Sequence, residues 1–376
     1  MAVLQRAGPL PLAALAAVTA LAWQTATMWA NFGGDPTALY CTGAGRGVPE
    51  SLAGERIWLF PGSQGYDGQF YHYIAHDPLQ RDPALAAFVD APRLRYRRVL
   101  IPALAYLSAL GEPSRIDPAY RALILLSIFA GVYWSARWCE SRGWPPAGGL
   151  AFLVLPASMV AVDRLTPDVV LAALAIGLLL PGRTPAAAFA MLAAAALTRE
   201  TGMLLIAAWC VTRGVKFALA AAPALVWYGY VFARTEALDY GAGSMPLAAI
   251  ARAFANPPSY PLEIPLQSLV RLGDFAALTG VALAFVLALL ALRRDRSFQA
   301  LAAAAFALMG CLLQRDDHWR HVYDFGRVYS PLLALLAARA VEERRWIWAA
   351  PCLMMAPRLA MQLAPQALGV IRAMAG

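Results

Sequence analysis

Twelve apolar runs succeed one another along the chain, at residues 9–30, 99–110, 118–138, 144–162, 167–180, 184–197, 201–211, 217–232, 275–292, 298–313, 328–340 and 346–363, many of them divided by short arginine-bearing connections. A run of about 20 residues at roughly 1.5 Å per residue covers a hydrocarbon core about 30 Å thick, so the pattern reads as an all-α, polytopic integral membrane protein. With 60% hydrophobic and 14% charged residues among 376, no soluble domain of useful size is left over. The expected organisation is a single membrane domain over 1–376 with 11–12 membrane helices. Residues 1–212 form a core with a long first outward loop at 31–98, and 213–376 supply C-terminal helices with a second outward loop at 234–273. Runs of about 12 residues have the length of re-entrant or interfacial helices. The first run has no obvious small-residue cleavage site and reads as a retained helix.

The net charge of +8 is carried almost wholly by arginine, Lys216 being the sole lysine. These charges are scattered between apolar runs instead of forming a stripe, which points away from nucleic acid. The basic connections at Arg137 and Arg142, Arg183, Arg213 and Lys216, Arg293, Arg294 and Arg296, and Arg339, Arg344 and Arg345 mark the cytoplasmic side. The opposite side then receives 31–98, 163–168, 198–200, 234–273 and 315–327. Parity requires one helix between 98 and 138 not to cross, and 99–110, short and bearing Pro102, is the best candidate. The loop at 234–273 is rich in Pro and Gly and long enough to act as a lid. The cysteines Cys41, Cys139, Cys210, Cys311 and Cys352 lie in different segments, without CxxC or a His/Cys zinc spacing, so neither a disulfide framework nor a zinc site is expected. No Walker A, no GxGxxG after a strand and no Ser/His/Asp order is present. An activated sugar would have to arrive on a lipid.

Polar clusters in such a chain are candidate functional sites. The densest is 65–78, where Asp67 lies between Gly65 and Gly68 and is surrounded by Tyr66, Gln69, Phe70, Tyr71 and Tyr73. A carboxylate there can take a hydroxyl proton while the aromatics seat a sugar ring; the plainer reading is an interfacial aromatic belt with Asp67 capping a helix that runs to Ala75. Arg93, Arg95, Arg97 and Arg98 follow, suited as a set to a lipid-linked phosphate, although any one of them can simply snorkel to headgroups. In 163–168, Asp163 and Arg164 can pair and Asp168 is favoured at a helix start. Thr198-Arg199-Glu200-Thr201 interrupts an apolar stretch so briefly that a cavity-facing role is favoured, with Arg199 a second phosphate contact and Glu200 beside it. In 315–327, Asp316, Asp317, His318 and His321 are weak metal candidates, and substrate contacts by Arg320, His321 and Asp324 are preferred.

The stretch Tyr66-Asp67-Gly68-Gln69-Phe70-Tyr71-His72-Tyr73-Ile74-Ala75 resembles the first-loop motif of the GPI mannosyltransferase branch of the GT-C membrane glycosyltransferases, and the shorter acidic motif of protein mannosyltransferases and aminoarabinose transferases. Arg97-Arg98-Val99-Leu100-Ile101-Pro102 resembles the basic, proline-containing approach to the next helix, Leu197-Thr198-Arg199 a Leu-Thr-Lys segment that contacts lipid phosphate, and Asp168 an acid opening a later helix. Gly68 stands where many relatives carry a second acid. The resemblance covers roughly residues 1–210. It implies a GT-C-like fold and transfer of a sugar from a polyprenyl-phosphate carrier to a cell-surface glycan or lipid acceptor, at the outer face of the cytoplasmic membrane. Asp67 would be the general base and Arg97, Arg98 and Arg199 would stabilise the leaving phosphate, with no metal or other cofactor required. The alternative from another class is a flippase for a lipid-linked sugar, using the same arginines without a base.

Overall fold

Each of the twelve apolar runs is helical over most of its length, as the sequence leads one to expect. The computed structural model describes residues 7–236, 245–313 and 315–375. In chain order the helices are α1 (Pro9–Phe32), α2 (Asp67–His76), α3 (Pro83–Ala86), α4 (Pro92–Arg95), α5 (Leu100–Ser108), α6 (Pro113–Ser141) and, after a 3₁₀ stretch at Pro146–Val154, α7 (Pro156–Arg164). There follow α8 (Asp168–Leu179), α9 (Pro185–Thr198), α10 (Gly202–Arg213), α11 (Ala222–Arg234), entered through a 3₁₀ stretch at Val215–Ala221, and α12 (Ala248–Ala255). The last are α13 (Ile264–Arg294), α14 (Phe298–Leu312), α15 (Asp316–Arg320), α16 (Val322–Val328), α17 (Ser330–Glu343) and α18 (Ala350–Ala375). The strands described are two-residue pieces, β1 (Thr42–Gly43) and β2 (Leu59–Phe60), paired in parallel with Thr42 opposite Leu59 inside the first loop.

Length separates these helices into classes. Four are long and apolar enough to cross a membrane: α1, α6, the run Val215–Arg234 and α13. A fifth is gained if Pro146–Val154 and α7, bent by 62° at their junction, count as one broken span. This is fewer than the 11–12 membrane helices expected, because α8, α9, α10 and α14 are apolar but have only 12, 14, 12 and 15 residues, roughly 18–23 Å of helix. Helix α5, the run expected not to cross, has nine residues.

The second loop is shorter than 234–273. Helix α13 starts at Ile264, with Pro265 in its first turn where a missing N–H costs nothing. The prolines, Pro265 among them, make the stretch up to 273 read as loop. In the fold Asp274 is buried and accepts a 2.7 Å hydrogen bond from Nε of Arg358 on α18. Residues 237–244, on which part of the lid expectation rests, lie outside the described residues.

Helix α8 is the centre of the bundle. It is apolar all round and buried along nearly its whole length, packed on α6, α9 and α17, as an encircled helix must be. Its first residue, Asp168, is therefore delivered to the interior with the positive end of the helix dipole behind it. Helix α2 approaches the same place from the first loop. Gly65, in the left-handed region at φ 79°, turns the chain into it. Gly68 lies so close to the carbonyl oxygens of Tyr40 and Arg164 that a Cβ would run into both. Gly68→Ala is therefore expected to lower stability by about 1–3 kcal/mol, read as a drop in the thermal unfolding midpoint of the detergent-solubilised protein; an unchanged midpoint would show that α2 is not wedged there.

Candidate active site

A cavity of about 790 Å³ opens where the N-terminus of α2, the α4 segment, the α9–α10 junction, the end of α14 and helices α15 and α16 meet. Six arginines line it, Arg95, Arg97, Arg98, Arg199, Arg315 and Arg327, against five carboxylates, Asp67, Asp90, Glu200, Asp317 and Asp324. Asp168 lies buried beneath. Met309, Leu312 and Leu313 of α14 form an apolar wall.

Asp67 does not behave as a helix cap. Its Oδ1 accepts from Arg95 Nη2 at 2.7 Å and its Oδ2 accepts from Arg327 Nη2, so both oxygens face guanidinium groups instead of the backbone of α2. Arg95 also grips Asp90 in bidentate fashion, at 2.8 and 3.0 Å, and its guanidinium lies over the rings of Phe70 and Tyr71. Arg327 reaches in the other direction to Asp168 Oδ2 at 3.1 Å, and Asp168 Oδ1 accepts from Arg199. Arg98 forms a two-pronged pair with Glu200, at 3.0 and 2.6 Å, and donates to the Tyr71 hydroxyl at 3.2 Å. Arg97 stacks over Tyr228 and Phe232. A chain of alternating charge thus runs Asp90, Arg95, Asp67, Arg327, Asp168, Arg199.

The two carboxylates nearest the centre differ. Burial pushes the Asp67 carboxyl up, but the Arg327 and Arg95 charges outweigh it and hold the group well below the usual carboxylate range. For Asp324 burial prevails: 3.8 Å from Arg327 and accepting a 3.0 Å hydrogen bond from the Tyr66 hydroxyl, it is pushed up to about 6, the Asp67 charge adding to the shift. His318, on the same wall, is pushed down to about 3 by burial and by the Arg199 and Arg327 charges, so its imidazole is neutral at ordinary pH.

Of the residues singled out from sequence, Asp67, Arg95, Arg97, Arg98, Arg199, Glu200 and Asp324 share the cavity, and Tyr66, Tyr71 and Asp168 support it from behind. Five do not join them. Gln69 is buried in the first loop, accepting from Gly43 N and donating to Gln64 O at 2.9 Å, because α2 turns it away from Asp67. Arg93 donates to the carbonyls of Phe232 and Thr235 at the end of α11. Asp163 is held by Arg164, Tyr323 and Gln366. Arg320 lines a separate cavity of about 320 Å³ with Arg252 and Asp316, and His321 sits beside the Tyr260 ring. Arg327 was missed: in sequence it only closes a polar run, and nothing there marks it as the arginine that bridges two acids.

Among the described residues, Asp316, Asp317, His318 and His321 form no group able to hold a metal ion; the group that can is Glu55, His72, His76 and Asp117. Comparison with family models, curated proteins and solved structures gives no match.

The charge chain has a direct energetic consequence. Asp168 is paired with two buried guanidiniums, and removing its charge leaves Arg199 with only Glu200 at 3.9 Å and Arg327 leaning on Asp67. Asp168→Asn is expected to destabilise the protein by about 3–5 kcal/mol, well beyond the effect of Asp90→Asn at the half-exposed end of the chain, in thermal unfolding of the two variants side by side. Equal midpoints would mean that the network carries no such weight.

Proposed function

We propose that the protein is a polytopic glycosyltransferase of the cytoplasmic membrane, GT-C-like, that transfers a sugar from a polyprenyl-phosphate carrier to a glycan or lipid acceptor, its cavity facing outward. The observation that carries this reading is the convergence in one cavity of arginines from three separate stretches, 95–98, 199 and 327, with two unlike carboxylates and an apolar wall. Each guanidinium has five N–H donors in a rigid fork, so one edge can hold a carboxylate while another receives a phosphate oxygen. The exposed Leu308 and Leu312 on α14 offer an apolar face to a prenyl chain beside that phosphate. Basic connections at the opposite helix ends support the outward orientation.

The reaction is a single displacement with inversion. The acceptor hydroxyl oxygen attacks the anomeric carbon, the bond from that carbon to the phosphate oxygen breaks, the hydroxyl proton passes to a carboxylate, and the carrier phosphate leaves against the arginines. The resemblance gives the proton to Asp67, but a carboxylate held between two guanidiniums is a weak base. Asp324, pushed up to about 6 and free of any ion pair closer than 3.8 Å, is better matched to proton transfer near neutral pH. We assign it the base role, and Asp67 the holding of Arg95 and Arg327.

A base must be ionised, so kcat/KM is expected to rise with pH through about 6 and to level off above, following the Asp324 carboxyl. Asp324→Asn should abolish that limb and lower transfer by about 10² to 10⁴ in rate, whereas Asp67→Asn should lower activity and keep the limb, measured in proteoliposomes with a short-chain polyprenyl-phosphate sugar. Near-normal transfer by Asp324→Asn with loss of the limb in Asp67→Asn would return the base role to Asp67. Passage of the carrier across the bilayer without any transfer would favour the flippase.

Orientation has its own check. In a background lacking the five native cysteines, Ala84→Cys and Asp316→Cys, both exposed, are expected to react with a membrane-impermeant thiol reagent from outside, and Ser141→Cys and Ser297→Cys, also exposed, only after the membrane is opened. The reverse pattern would place the cavity on the cytoplasmic side.

A further inference from the structure

We propose that Glu55, His72, His76 and Asp117 bind a divalent first-row transition-metal cation, Zn²⁺ being the best fit, that pins α2 to α6 behind the cavity, a role independent of the transfer chemistry. Their ligand atoms all lie within 4.8 Å of one another. His72 and His76 stand one helical turn apart on α2, Asp117 is in the first turns of α6, and Glu55 comes from the first loop.

Three atoms in this group carry the argument. His72 Nε2, His76 Nε2 and Asp117 Oδ1 are buried and have no hydrogen-bond partner among the described residues, yet they converge: Asp117 Oδ1 is 3.1 Å from His72 Nε2 and 3.8 Å from His76 Nε2. An ordinary imidazolium–carboxylate pair would aim an N–H at the oxygen. Here the distances are close but hydrogen-bond geometry is not met, and leaving three buried polar atoms unsatisfied is costly. A cation at their common focus satisfies all three at once. Glu55 completes the set, with its carboxylate oxygens 4.0 Å from His72 Nε2 and 3.3 Å from His76 Nδ1.

The spacing suits a metal. Four ligands at about 2.0–2.2 Å from a tetrahedral Zn²⁺ lie roughly 3.3–3.6 Å apart, and the present separations, 3.1 and 3.8 Å from Asp117 and up to 4.8 Å across the group, close onto such an ion with side-chain shifts of about 1 Å. Two imidazoles with two carboxylates are a mixed donor set favouring a first-row transition ion over Mg²⁺ or Ca²⁺, which prefer oxygen ligands throughout. His72 is fixed by stacking on the Tyr40 ring, with centroids 4.3 Å apart, which orients Nε2 before any ion arrives. Glu55 is the most exposed member and gives the ion a way in.

The test uses the full-length, tag-free protein in detergent, stripped with chelator and titrated with Co²⁺ as the probe. One Co²⁺ per chain is expected, with the intense visible bands of a four-coordinate ion, displaced by Zn²⁺. His76→Gln and Glu55→Gln should each weaken binding by at least about tenfold, and His72→Gln combined with His76→Gln should abolish it. Added Zn²⁺ should raise the thermal midpoint of the wild type and leave that of the double variant unmoved. Because His72 is fully buried and its variant can fail to fold, the single substitutions His76→Gln and Glu55→Gln keep the outcome decisive. Failure to bind Co²⁺ or Zn²⁺, or binding unaffected by both single substitutions, would overturn the proposal.

Discussion

The guanidinium of Arg327 sits between Asp67 and Asp168, and most of the cavity's order depends on that placement. A buried charge is tolerated only when paired, and breaking one member of a buried pair leaves the other uncompensated. Arg327 belongs to α16, Asp67 to α2 and Asp168 to α8, so one side chain ties the first loop, the central helix and the C-terminal half together. Arg95 and Arg199 extend the chain outward to Asp90 and to the α9–α10 junction. The cavity is thus formed by helix ends that electrostatics holds in register, while apolar packing sets most of the rest of the bundle.

That network also limits what a ligand can do. Six arginines line the cavity against five carboxylates, and buried Asp168 brings the acids to six. A phosphate entering as proposed would therefore meet guanidiniums already engaged and would have to share or displace carboxylates. Sharing is easiest at Arg98, where Glu200 occupies the Nε and Nη2 edge of the fork, and the phosphate charge would push the Asp324 proton affinity further up. On the proposed reading, donor binding and readiness of the base would be coupled through this shared field.

The sequence disclosed the helices better than their roles. Apolar runs are a local signal, so all twelve emerged as helices, whereas whether α8 or α9 crosses anything depends on length and neighbours that the run does not encode. Arg95, Arg98 and Arg199 were legible because each stands at the edge of an apolar run where a charge needs a reason. Gln69, Arg93 and Asp163 satisfied the same test and were turned elsewhere by partners distant in sequence, such as Gln366 for Asp163. Arg327 escaped for the converse reason, since its partners are 159 and 260 residues away. The group Glu55, His72, His76 and Asp117 escaped for a similar reason: His72 and His76 are one turn apart, but Glu55 and Asp117 come from two other segments.

Helix α2 has two chemically distinct faces. At about 100° per residue, Asp67 and Tyr71 lie near one another while His72 and His76 are turned roughly 140° and 180° from Asp67. The first face meets the arginines and the second meets α6. A helix of ten residues anchored only by ion pairs on its cavity side would shift whenever a phosphate rearranged those pairs. Reacting groups displaced by about 1 Å can cost 10²-fold in rate. An anchor on the far face removes that coupling: the cation site behind α2 lets the arginines exchange partners while Asp67, and the Tyr66 that orients Asp324, remain in place.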